Sequence, residues 1–266
     1  MGAAVAACAA TNAAAVLWCE TGRSTASVAR AAQFGLTPVA ELAELLGRSD
    51  IVISLCPPAA AEDLARDVAA HHFAGVYVEA NAINPVRAQR IAALLEPTAT
   101  VVDGGVVGSP PVGGKTPTLY LSGPHAATER IETLFADTAV RTALLGTEVG
   151  KASALKLSYA SFQKTSRVLV ALAVGMAREH GVDQELIEVA SRRTDSYLAE
   201  PEYVAKTAAR AWRWGPELEE AADALAAAGL PPEMLRAAAS TLARWNDAKD
   251  DGELTLTDAL DRLAQP

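Results

Sequence analysis

Apolar positions along the first 146 residues follow two alternating rhythms. AAAVLWC (13–19), DIVISLC (50–56), GVYVEA (75–80) and ATVVDG (99–104) read as strands, and the nearly continuous apolar run of 50–56 suits a parallel strand covered on both faces. Between them, RSTASVARAAQFG (23–35), TPVAELAELLG (37–47), PAAAEDLARDVAA (58–70) and NPVRAQRIAALL (84–95) carry helical spacing, with glycine closing some and proline opening another. TPTLYLSG (116–123) alternates as a strand, PHAATERIETLFA (124–136) is helical, and VRTALLG (140–146) is a last extended segment. Repeated β and α units predict an α/β fold with an open, doubly wound parallel sheet, whose ligands collect beyond the carboxyl ends of the strands.

From Gly150 the rhythm changes. KASALKLSYASFQKTSRVLVALAVGMAREHG (151–181) is long enough for one helix traversing a domain, and further helices are predicted near 183–193, 201–212, 216–228, 231–248 and 255–264. The pattern divides the chain into an α/β domain over 1–146 and an all-helical domain over 147–266. The opening MGAAVAACAA reads as a small-residue helix over 2–10 rather than a signal peptide. With the strand at 13–19, this helix makes half of a βαβ unit without its first strand. The reading is an N-terminally incomplete sheet whose first strand and glycines lie upstream, because exposed parallel edges are unfavourable.

Half of the 266 residues are apolar and the formal charge is −9, so a packed core is expected and no basic surface draws nucleic acid or anionic membrane. Cys8, Cys19 and Cys56 show no metal-like pairing, which fits a reducing cytoplasm and simple packing roles. His71, His72, His125 and His180 have no metal-ligand spacing, so no metal site is expected.

VVDGGVVGSPPVGGKTPTLYLSG (101–123), followed by GKASALK (150–156) at the start of the long helix, resembles the β-hydroxyacid dehydrogenase superfamily. The likeness is to branches related to 3-hydroxyisobutyrate and 6-phosphogluconate dehydrogenases, in a bacterial NAD(P)-dependent oxidoreductase group. It spans most of residues 1–180, with Met1-Gly2 looking like the end of the Gly-x-Gly-x-x-Met-Gly turn. The resemblance implies a Rossmann-like first domain, a helical substrate and dimerisation domain, and a homodimer acting on a small, anionic substrate.

In that family the lysine closing the second motif takes part in acid/base chemistry, so the role falls on Lys156. An amine beside the reacting oxygen can exchange its proton as hydride moves. Lys164, on roughly the same helical face, is a candidate for an anionic substrate or plain surface charge. Two departures stand out: Val107 replaces a serine that meets a substrate carboxylate, and Ala160 replaces an asparagine four residues beyond the lysine. Gly108 and Ser109 either offer donors to substrate or only form a turn. Asn81 either orients nicotinamide or a substrate oxygen, or caps the helix before Pro85. Cys56 and Pro57 supply shape and backbone contacts beside the dinucleotide, and Gly2 lines the pyrophosphate approach. In CETGRS (19–24), Glu20 suits an NAD ribose, whereas Arg23 and Ser24 suit the extra phosphate of NADP; NADP is preferred, with NAD as the alternative.

The leading expectation is an NADP-linked oxidoreductase interconverting a small hydroxylated acid and its oxo form. The alternatives are imine or ketone reduction on the same scaffold, or a non-catalytic nucleotide-binding protein.

Overall fold

The computed structural model describes residues 1–179, 181–192, 200–227 and 232–265. They form two compact units, Met1–Lys156 and Leu157–Pro266. The first carries helix α1 (Gly2–Ala9), β1 (Leu17–Cys19), α2 (Thr25–Gln33), β2 (Thr37–Val39), α3 (Leu42–Gly47), β3 (Ile51–Ser54) and α4 (Ala61–Ala70). It continues through β4 (Val76–Glu79), α5 (Pro85–Leu95), β5 (Thr100–Val107), β6 (Thr118–Ser122), α6 (His125–Phe135) and β7 (Arg141–Leu144) to the start of α7 (Lys151–Glu179).

Strands β3–β4–β5–β6–β7 form one sheet, and β1 with β2 forms a separate two-stranded parallel sheet. The interruption falls between β1 and β3. Residues 37–39 correct the helix expected from 37: Thr37 opposes Leu17 and Val39 opposes Cys19 in a parallel pair. Pro38 suits an edge strand better than a helix interior, and α3 begins only at Leu42. A second correction concerns β6, which runs antiparallel to β5 with Val107 opposite Thr118. The Gly- and Pro-rich connection between them contains no crossover helix, which a parallel return would need.

Alternation along the central strands sorts the core to two faces. Val76, Val78 and Val102 pack with Val5 of α1, Leu119, Leu121, Ile131 and Phe135. Tyr77 and Val101 point the other way, into Val68, Ile83, Ile91 and Leu95 from α4, α5 and the loop between β4 and α5. Helices thus cover both faces of the α/β unit, as continuous apolar strands require. Asn84 opens α5, its side chain accepting from the Arg87 N–H at 2.9 Å with Pro85 in the first turn.

The second unit is helical: the remainder of α7, α8 (Asp183–Ser191), α9 (Tyr203–Ala208), α10 (Ala211–Ala227), α11 (Glu233–Ala243) and α12 (Leu256–Ala264). Trp245 is fully buried and its indole N–H donates to the Ala259 carbonyl at 2.7 Å, which anchors α12. The last residues of the helices expected over 183–193 and 216–228, and the first of the one expected over 231–248, lie outside the described residues, as does His180. Among the described residues, no helix is long and apolar enough to cross a membrane.

Candidate functional site

Polar groups converge at the carboxyl ends of β3, β4 and β5, where a doubly wound sheet gathers its ligands. Asn81, just past β4, is buried. Its side-chain oxygen accepts from the Cys56 N–H at 2.6 Å, while its amide donates to Ser54 Oγ at 2.7 Å and Glu79 Oε1 at 2.6 Å. Asn81 therefore ties the loop after β3 to β4, and the cap before Pro85 is Asn84. Glu79 is fully buried, its Oε1 accepting also from the Asn81 N–H at 3.1 Å and its Oε2 without a hydrogen-bond partner among the described residues. Burial raises its carboxyl from 4.5 to about 7, with Asp103 adding to the rise and the Asn81 hydrogen bonds and Arg87 opposing it. Burial likewise pushes the Tyr77 hydroxyl and the Cys56 thiol up. A protonated Cys56 suits a shaping role.

Asp103, buried on β5, joins the two sequence motifs. Its Oδ2 accepts from the Gly150 N–H at 2.8 Å, the Ser153 N–H at 3.0 Å and the Ser122 hydroxyl at 3.2 Å; its Oδ1 accepts from the Ser153 hydroxyl at 2.6 Å. Two residues on, a Cβ at Gly105 would come within 2.8 Å of the Ala152 carbonyl and 3.0 Å of Lys156 Cβ. Glycine is required there because α7 lies against the strand. Lys156 is half-buried at this contact.

A cavity of about 1080 Å³ opens between β1 and β3. Gly2, Arg23 and Cys56 line it, joined by Pro110 and Val112 from the loop after β5. Met1, Gly2, Ala3 and Ala4 of the α1 N-terminus face the same space, and no side chain caps that helix end. A Cβ at Gly2 would lie 3.5 Å from the Leu55 carbonyl, so the helix start closely approaches the end of β3. Glu20, Arg23 and Ser24 are exposed, and Ser24 caps α2 by accepting from the Ser27 N–H at 3.3 Å. Pro57 is exposed beside Cys56. A second cavity, about 540 Å³, is lined by His71, His72 and Arg130 and holds none of the catalytic, substrate or cofactor candidates.

The family described as the NAD binding domain of 6-phosphogluconate dehydrogenase matches residues 1–146. The chain belongs to that family. A domain of unknown function, DUF1932, matches residues 177–245. A Methanothermus fervidus protein described as "Uncharacterized 28.5 kDa protein in 7S RNA 5'region" is 27% identical over 171 residues, 64% of this chain and 65% of that protein. The match spans less than two thirds of that relative's length. The structure of Mycobacterium tuberculosis 3-hydroxyisobutyrate dehydrogenase with L-serine has a TM-score of 0.75 at 19% identity, covering 100% of this chain and 96% of that one. A Streptomyces aurantiacus imine reductase has a TM-score of 0.58 at 20% identity, covering 99% and 96%. With these solved structures the chain shares its fold, an α/β unit followed by helices.

The family's dinucleotide fits the residues present: the uncapped start of α1 suits a pyrophosphate, and Arg23 adds a guanidinium on the same cavity wall. Of the residues singled out as substrate candidates, Val107 is half-buried, while Gly108 and Ser109 are exposed in the turn after β5. Gly108 has φ +119°, and a Cβ there would meet Pro117 Cα at 3.1 Å, so its turn geometry itself calls for glycine. In the helical unit, Ala160 is buried, and Lys164 is buried in an ion pair with Glu217, 5.8 Å from the centre of the Trp214 ring.

Asp103, Ser122, Ser153, Gly105 and Glu79 were not singled out by their sequence context. A visible signal existed for two of them: an acidic residue inside an apolar strand, as in VVDGG and VYVEA, must find buried donors or hold its proton.

Proposed function

We propose that this chain is an NADP(H)-linked reductase of carbonyl or imine carbons in which Lys156 handles the proton. The observation that carries this reading is the clamp between β5 and the start of α7, which sets Lys156 beside Gly105 in the family's substrate motif. Bound dinucleotide supplies the carbon that exchanges hydride. Lys156, as ammonium, gives one proton to the oxygen or nitrogen on which negative charge develops, and regains it from water. The start of α1 and Arg23 hold phosphate, while Asn81 fixes the loop carrying Cys56 and Pro57.

Substrate class follows from what the side chains offer. Val107, at the end of β5, brings no hydroxyl. This position favours a substrate held by apolar contact over one held by its carboxylate. The solved imine reductase with this architecture supports the same choice. Hydroxyacid oxidation is the second reading, favoured by the likeness to 3-hydroxyisobutyrate dehydrogenase and by the exposed Ser109 hydroxyl.

The test is turnover of matched ketones, cyclic imines and hydroxyacids with NADPH or NADP⁺ by wild type and Lys156→Ala. Loss of the proton donor lowers turnover roughly 100-fold or more while dinucleotide affinity is kept. Undiminished turnover by Lys156→Ala would remove the proposed role. Hydroxyacid oxidation without ketone or imine reduction would transfer the assignment to the second reading.

A further inference from the structure

We infer that Asp103 is the positioning residue for Lys156, acting through the first turn of α7; this rests on the role proposed for that lysine. A carboxylate offers about four acceptor positions, and Asp103 meets four donors: the Gly150 and Ser153 N–H groups and the Ser122 and Ser153 hydroxyls. Three of these come from residues 150–153. The Ser122 oxygen in turn accepts from the Ala152 N–H at 3.2 Å, so β6 closes the same network. Asp103 is fully buried, and its charge lies at a helix N-terminus, where unsatisfied N–H groups and the helix dipole favour an anion.

The geometry makes this more than a cap. Asp103 and Gly105 lie on one face of β5, since alternate strand residues do, about 6.6 Å apart along the strand. Ser153 and Lys156 lie one turn apart on α7, about 4.5 Å along its axis. Asp103 grips the helix at residues 150–153, and the bare face of Gly105 receives Ala152 and Lys156. Strand and helix are thus pinned at one point and touch at the next. Any shift in the grip is carried to the lysine by a rigid helical turn. The buried carboxylate has a task in the reaction although it need not touch the substrate.

A double-mutant cycle tests the inference using the full chain. Asp103→Asn replaces one acceptor oxygen by an amino group facing N–H donors, and Ser153→Ala removes one hydroxyl while leaving the carboxylate. A displacement of the order of an ångström in a reacting group lowers kcat by roughly 100-fold. Asp103→Asn should therefore lower kcat by at least about tenfold with little change in NADPH affinity, and Ser153→Ala should do so to a lesser degree. In a Lys156→Ala background, Asp103→Asn should change residual turnover by no more than about twofold, because the residue acts through the lysine. Independently of activity, hydrogen exchange at the Gly150 and Ser153 amides should accelerate about tenfold or more in Asp103→Asn.

If Lys156→Ala is inactive but Asp103→Asn and Ser153→Ala keep wild-type kcat, the positioning role falls while the role of Lys156 stands. Multiplicative losses in the double variant, or unchanged amide exchange, would also overturn it. Full activity of Lys156→Ala would instead refute the underlying reading. Should Asp103→Asn fail to fold, the same cycle with Ser153→Ala decides.

Discussion

Replacing Glu79 by Gln removes a titrating proton from the carboxyl end of β4 while keeping the shape and one carbonyl-type acceptor for Asn81. In the native protein the carboxyl is fully buried, and burial outweighs the Asn81 hydrogen bonds and Arg87 to raise it from 4.5 to about 7. The folded state therefore holds the proton across a range in which the unfolded chain has released it. Stability from this group is fully present below about 4.5, falls as pH rises toward about 7, and is level beyond. At about 1.4 kcal/mol per pH unit of separation, the whole span is worth about 3 kcal/mol. That is a visible fraction of a typical ~5–15 kcal/mol total. Urea denaturation of wild type and Glu79→Gln at pH 5 and pH 8 isolates the effect, because other titrating groups are common to both proteins. The variant should gain about 2–3 kcal/mol on wild type between the two pH values. Parallel stability–pH curves for the two proteins would refute a proton held at Glu79.

Two further substitutions probe the site from different sides. Gly105→Ala would drive a methyl to 2.8 Å from the Ala152 carbonyl, costing about 1–3 kcal/mol in thermal or urea unfolding. It should also reduce turnover, whereas Gly104→Ala, whose methyl would meet the Val78 and Ala80 side chains, should leave kcat near wild type. Arg23→Ala should raise the KM for NADPH about tenfold, the loss of a charged hydrogen bond. The KM for NADH should stay nearly constant, and an equal rise for both would exclude recognition of the extra phosphate.

Local patterning was sufficient for the alternation of strands and helices before residue 146 and for the long helix from Lys151. These features repeat within a few residues, and periodicity or a short spacing carries them. The strand at Thr37–Val39 was hidden, because only the parallel partner at Leu17–Cys19 makes an edge strand of a segment that otherwise resembles the start of a helix. The antiparallel direction of β6 was hidden for a similar reason: alternation reveals a strand but not its orientation.

At the site, individual residues divide in the same way. Lys156 is offered as a candidate by the family resemblance of GKASALK, whereas the Asp103 grip joins residues 47 and 50 positions apart. Asn81 and Asn84 stand equally well before a helix in one dimension, but folding buries the first among Ser54, Cys56 and Glu79 and leaves the second to cap α5. Lys164 reads as an available cation until Glu217 from α10 meets it. The linear chain specifies rhythm and residue chemistry because both are written in neighbouring side chains. Partners, burial and the proton on Glu79 emerge only on folding, since the free energy of a charge depends on whatever distant groups are brought within a few ångströms of it.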